Sequence, residues 1–252
     1  MRSCLTDCRV GNDSADAGTR IPSRQPDCYT FAISRISRGI ISLPVRAADF
    51  HRIFKDKHMP AKPPASRLAL IDEPRMNEAQ RALLEAIRLG PRGASVTPRG
   101  PFAVWMHAPD FGHLAQALGG HCRYKTSLSS RLSEFVILCT ARLWRAQYEW
   151  YAHAPIAERA GVKSSTIEDL RLGRPPKSAP KDERTIYDFI QELYKTRRVS
   201  DRTYKRVHAL LDNQATVELV GILGYYALIS MTLNVFRMMP PETEKLAFAE
   251  TK

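Results

Sequence analysis

Three side chains in the stretch SEFVILCTARLWRAQYEWYAH, residues 133–153, could do chemistry together: Glu134, Glu149 and His153. On a helix, Glu149 and His153 stand four apart, so both emerge on one face and can meet. A carboxylate beside an imidazole favours the protonated ring and fixes its orientation. Glu134 precedes an apolar run, Phe135 to Leu138. If its helix and the next fold back as an antiparallel pair, Glu134 and His153 meet at one end as an acid/base couple. The competing reading is a solvated Glu149–His153 pair worth about 0.3 kcal/mol; spacing alone leaves both open.

The elements around these residues are expected to be helical throughout. Asn77 and Gln80 are placed as a capping box before Leu83, Leu84 and Ile87, with Gly90 and Pro91 as the stop. A shorter helix begins near Asp110 and is expected to end at the paired glycines 119 and 120. Leu132, Phe135, Val136, Cys139 and Leu143 recur at threes and fours, and a second segment closes at Gly161. Ser165 and Glu168 have capping-box spacing, and Ile186, Phe189, Ile190 and Leu193 form one stripe. A helix starts at Ser200, and a long apolar one runs from about Ala215 to Met238. No alternating strand pattern and no glycine-rich phosphate loop occur, so the fold class is all-α. Glu134 and Glu218 each lead an apolar run, a faint echo of an internal repeat.

Residues 1–58 alternate Cys, Asp, Ser, Arg and Gly without helical period, and are expected to be a disordered extension or to lie before a true start at Met59. Residues 59–75 read as an extended proline-rich lead-in, 76–239 as the helical domain and 240–252 as a C-terminal tail.

The chain has 252 residues, 44% of them hydrophobic, which is enough for a substantial core. Its net charge of +12 allows nucleic acid, an anionic membrane surface or a small anionic substrate. The cations are spread over several helices with no recognition helix, finger or aromatic platform, which disfavours nucleic acid. A basic cluster at 195–206 holds six cations and one acid, a pattern usual for a solvated loop and helix start. The uncharged run Leu219–Phe236 has 18 residues, the lower edge for crossing a bilayer, yet includes two glycines, a serine, a threonine and an asparagine. It is expected to be a core helix of an oligomer, with no membrane partner.

Five scattered cysteines without a Cys-x-x-Cys pair exclude a disulfide framework and a zinc site and point to reduced thiols in a cytoplasm. His107, His113 and His121 lie six and eight apart, a spacing that gathers no metal ligands on one helix face. No metal and no organic cofactor is expected.

Residues 128–162, with flanking segments from about Leu68 to Met239, resemble the carboxymuconolactone decarboxylase family, related to the alkylhydroperoxidase D-like proteins. The resemblance implies a helical bundle assembling into trimers or hexamers, with active sites in clefts near subunit contacts. In the peroxidase branch a glutamate and a histidine occupy the positions of Glu134 and His153, with two thiols where this chain has Ala146 and Glu149. A thiol–disulfide cycle needs both thiols, so alkylhydroperoxidase or peroxiredoxin-type activity is disfavoured. The decarboxylase branch needs no such pair. It implies loss of carbon dioxide from a small carboxylated lactone or unsaturated acid, with His153 as proton donor, Glu134 as its partner and Glu149 tuning it. Arg131 or Arg142 would hold a substrate carboxylate, with Tyr148 and Trp150 beside it. Cys139 is expected to pack in the apolar stripe. A non-enzymatic basic binding protein is the remaining alternative.

Overall fold

A computed structural model of the chain describes residues 65–249. The readings for 1–58, and parts of those for the lead-in and tail, lie outside the described residues. Within them the fold is all-α. A 3-10 turn at Glu73–Arg75 leads into α1 (Glu78–Leu89), α2 (Pro101–Trp105), α3 (Pro109–Tyr124), α4 (Ser130–Trp144) and α5 (Gln147–Arg159). Then come α6 (Ser164–Arg171), α7 (Lys181–Thr196), α8 (Asp201–His208) and α9 (Asn213–Phe236).

The centre of the bundle is α4, packed on α5 along one side and on α9 along another. Its apolar middle, Phe135 to Leu138, is wholly buried, as are Leu219 and Ile222 of α9. Burying side chains of this size stabilises the fold by about 1.5–3 kcal/mol each. Ser129 caps the start of α4 by accepting the Leu132 N–H, and Arg145 ends it in the left-handed region at φ 52°. Only Arg145 and Ala146 lie between α4 and α5, so the two helices fold back as a hairpin. That return brings the early part of α4 beside the middle of α5.

Several start and stop signals work as the side chains require. Asn77 and Gln80 form both bonds of the capping box, each at 2.9 Å. Ser200 accepts the Thr203 N–H, and Asp212 accepts the Ala215 N–H ahead of α9.

Three local expectations are corrected. Gly119 and Gly120 do not end α3, which continues to Tyr124. A Cβ on Gly119 would lie 1.9 Å from the Tyr225 hydroxyl, so this glycine is a notch that admits Tyr225 of α9. Ser165 and Glu168 form no capping box: α6 begins two residues earlier, with Lys163 at its N-cap, Ser165 bonds Ser178 at 2.8 Å and Glu168 pairs with Arg171. Glu218 is not an equivalent of Glu134. It accepts from the Ser127 backbone N–H at 2.7 Å and its hydroxyl at 2.6 Å, bracing the loop that enters α4.

Helix α9 is apolar and long enough to cross a membrane, yet Leu219, Ile222, Tyr226, Ile229 and Leu233 pack into the bundle. Its other face leaves Val217, Val220, Met231 and Val235 exposed. Beyond it the tail turns back across the bundle. The Gln147 side chain accepts the N–H groups of Ala247 and Phe248 and donates to the Phe248 carbonyl, and Phe248 is buried.

Candidate active site

His153 is buried, and both of its ring nitrogens face carboxylates. Nδ1 stands 2.6 Å from Oε2 of Glu134, across the hairpin, and Nε2 stands 3.1 Å from Oε1 of Glu149, one turn earlier on α5. A carboxylate oxygen can only accept, and a neutral imidazole has one N–H, so both contacts are satisfied together only by the imidazolium. Burial opposes that charge, but Glu149 and Glu134 outweigh it, and the ring's pKa is raised to about 9. All three side chains are at least nine-tenths buried. The solvated-pair reading of Glu149 and His153 is therefore set aside.

Each member is placed by local structure. Glu134 sits on the α4 turn that faces α5. Glu149 lies in the first turn of α5, where the helix dipole favours a negative charge. The Tyr226 ring meets His153 edge-to-face, with centroids 5.3 Å apart and planes at 85°. Burial, reinforced by Glu149, pushes the Tyr226 phenol well above its ordinary pKa, so it keeps its proton. Tyr148 is shifted upward for the same two reasons.

Glu149 and His153 open onto a cavity of about 250 Å3, while Glu134 stands behind the ring. The polar lining includes Arg92, Arg99, Arg123 and Tyr148. Arg123 also approaches the second oxygen of Glu134 at 3.8 Å. Arg92 lies 5.1 Å above the Phe102 ring and donates to the Gln116 carbonyl at 3.2 Å. The segment between α1 and α2 covers one side of the cavity and turns at Gly100. There φ is 56°, and an added Cβ would fall 2.4 Å from Tyr148. Glycine at this position is what lets the Tyr148 ring lie against the loop.

Not every residue expected at the site is there. Arg131 is taken up by Asp182 and Glu183 at the start of α7, and lines no part of this cavity. Glu183 is buried, so its charge requires that partner. Arg142 lies about three turns beyond Arg131 on α4, with its guanidinium 5.3 Å above the Phe248 ring. Trp150 packs edge-to-face on Phe248 at 5.2 Å and does not reach the cavity. Cys139 is buried in the core, and burial drives its thiol pKa far upward. Cys122 is likewise a buried free thiol with a raised pKa, again chiefly from burial.

The arginines that do line the cavity come from two separate places in the chain, neither adjacent in sequence to the carboxylates. Arg92 and Arg99 stand in a loop punctuated by Pro91, Gly93, Pro98 and Gly100; Arg123 ends α3. The adjacent tyrosines 225 and 226, within an otherwise apolar helix, were the visible signal of a polar pocket against α9.

Solved structures share this architecture. The alkylhydroperoxidase AhpD core of an uncharacterized peroxidase-related protein from Ralstonia eutropha JMP134 matches with TM-score 0.60 and 16% identity. The match covers 71% of this chain and 94% of that one. An uncharacterized peroxidase-related protein from Silicibacter sp. TM1040 matches with TM-score 0.57 and 14% identity, covering 73% and 95%. No protein-family model matches the sequence, and no curated protein matches it. At these identities the likeness is one of fold: the chain has the alkylhydroperoxidase D-core architecture, all-α.

Proposed function

We propose that the protein is a cofactor-free acid/base enzyme acting on a small carboxylated molecule, as in carboxymuconolactone decarboxylation. The observation that carries this reading is a buried imidazole held between two carboxylates in the wall of an arginine-lined cavity. A substrate carboxylate would pair with Arg92, Arg99 or Arg123, since guanidinium forks match carboxylates in two-point contact. A second carboxylate, facing the buried Glu149 and the tyrosines, would leave as carbon dioxide. Its electron pair passes onto the adjacent unsaturated system and the carbonyl oxygen, where an arginine stabilises the developing charge. The carbon then takes a proton from the Nε2 side of His153, directly or through Glu149. Glu134 holds the ring by Nδ1 throughout, and solvent restores the proton.

Reaction with carboxymuconolactone and related unsaturated lactone acids, followed as carbon dioxide release, is the direct test. Turnover by His153→Gln at the parent rate would remove this assignment.

A thiol peroxidase is the competing reading, carried by the peroxidase-related proteins that share the fold. Among the described residues no thiol lines the cavity, and both thiols there are buried with raised pKa values. A hydroperoxide assay on protein with all five cysteines changed to alanine separates the two: activity that depends on those residues would favour the peroxidase.

The same proposal includes a cytoplasmic homo-oligomer, trimer or hexamer. It is supported by the exposed apolar stripe Val217, Val220, Met231 and Val235, interrupted by glycines 221 and 224, whose Cβ positions are open. Light scattering on Val217→Glu/Val220→Glu tests it, with a monomer as the expected product.

A further inference from the structure

Near the far end of α4 lies a second cavity, of about 200 Å3, which the proposed reaction does not use. It is lined by Arg142 and Cys139 of α4, Arg145 at the helix end, Gly173 and Arg174 beyond α6, and Tyr187 and Gln191 of α7. The lining holds three guanidiniums and no carboxylate. From Glu134 to Arg142 is eight residues along α4, about 12 Å of helix rise. The two cavities share no lining residue.

Two of the three cations, Arg142 and Arg145, have no carboxylate partner among the described residues. Arg174 pairs with Asp169 at 2.9 Å, outside the lining. Arg145 donates to the Ala249 carbonyl, a neutral acceptor. Arg142 forms no ion pair among the described residues, and its Nε is buried without an acceptor. A buried donor left without an acceptor costs about 1–3 kcal/mol, more when charged. The C-terminal end of α4 supplies roughly half a negative charge, which leaves a clear positive surplus.

Nor is Arg142 free to swing away. The Phe248 ring lies 5.3 Å from its guanidinium, and Gly173, at φ 71°, leans so close that an added Cβ would sit 2.5 Å from Nη2. The guanidinium is thus held in place, with its donors committed to this corner. Tyr187 and Gln191, both able to donate neutral hydrogen bonds, complete the same wall.

We infer that this cavity, formed by Arg142, Arg145 and Arg174 with Tyr187 and Gln191, is a binding site for a small oxyanion, a phosphate or phosphate-monoester group. Three cations contributed by two segments, the end of α4 and the turn after α6, suit a tetrahedral, multiply charged group better than a single planar carboxylate, which one guanidinium fork already saturates. The volume is below the roughly 300 Å3 floor of drug-sized sites, which points to an ion or a terminal group rather than a whole cofactor.

The test is a titration of the full chain with inorganic phosphate at constant ionic strength, so that general screening does not change. Isothermal calorimetry is expected to show one saturable site per chain. Arg142→Gln should weaken it at least about tenfold, the usual loss of a charge-assisted bond. Arg174→Gln should weaken it by about threefold or more. Its side chain is 58% exposed, so this variant keeps the test available if Arg142→Gln does not fold. Arg123→Gln, in the other cavity, should bind phosphate as the parent does. Phenyl phosphate as a second titrant separates the sources: tighter binding identifies a monoester, equal or weaker binding the free ion. Absence of a saturable site in the parent overturns the proposal. So does retention of full affinity by a folded Arg142→Gln or by Arg174→Gln, or its loss in Arg123→Gln.

Discussion

Nδ1 of His153 and Oε2 of Glu134 lie 2.6 Å apart although nineteen residues separate them along the chain. The contact exists because α4 and α5 are joined by a turn too short to splay them. It ties the ring to the most buried helix of the bundle. With Glu149 on the other nitrogen, the imidazole has no rotational freedom left to spend on a poor geometry.

That pairing makes stability depend on pH. The imidazole titrates near 6.5 in an unfolded chain and at about 9 here, so folding favours its protonated form. The contribution is fully present below about pH 6.5 and is lost as pH rises through about 9. Its size is on the order of a few kcal/mol. Thermal unfolding from pH 6 to pH 10 should show the parent losing stability across this window, while His153→Gln lacks that part of the slope.

Glu149→Gln keeps the shape of the side chain and removes one of the two charges on the ring. The His153 pKa should fall, because Glu149 is the largest contributor that raises it. Activity should fall by about 10²–10⁴-fold, the usual contribution of a positioned acid/base group. A carbon-13 or nitrogen-15 titration of the ring, beside the carbon dioxide assay, checks both.

Arg123 and Arg131 should behave oppositely. Arg123→Gln removes a cation from the cavity wall and should raise KM by about tenfold or more, with little loss of stability. Arg131→Gln strands the buried Glu183 and should cost roughly 3 kcal/mol in urea unfolding while leaving KM near the parent value. A rise in KM for Arg131→Gln would return that residue to the substrate.

Gly100→Ala should be destabilising by about 1–3 kcal/mol, because alanine would be strained at φ 56° and would press on Tyr148. The displaced ring borders the cavity, so KM should rise together with the loss in urea midpoint. An alanine that left both unchanged would mean the loop is free to rearrange.

The helices were legible because their signals are local: caps such as Asn77 with Gln80, and apolar residues at threes and fours along α4 and α7. The Glu149–His153 contact was legible too, being one turn of a single helix. Arg92, Arg99 and Arg123 were not, since nothing in a one-dimensional pattern says which surface loop will close over a given face. That Arg131 and Arg142 lie outside this cavity was hidden for the same reason. Nearness in sequence to Glu134 placed them on the same helix, but helix rotation and rise carry them to other neighbours. Gly119 failed as a stop signal because a tertiary partner, the Tyr225 ring, needs the space that the missing side chain leaves.

The clasp between Gln147 and the Ala247–Phe248 backbone has a consequence for biosynthesis. It joins positions 101 residues apart, at the start of the helix that carries Glu149. While the polypeptide is still emerging from the ribosome, that helix start lacks its closing contact, because the segment that completes it is made about a hundred residues later. The start of α5 is therefore braced only after synthesis has passed Phe248, and a nascent protein halted before that point would hold Glu149 in an unbraced helix end.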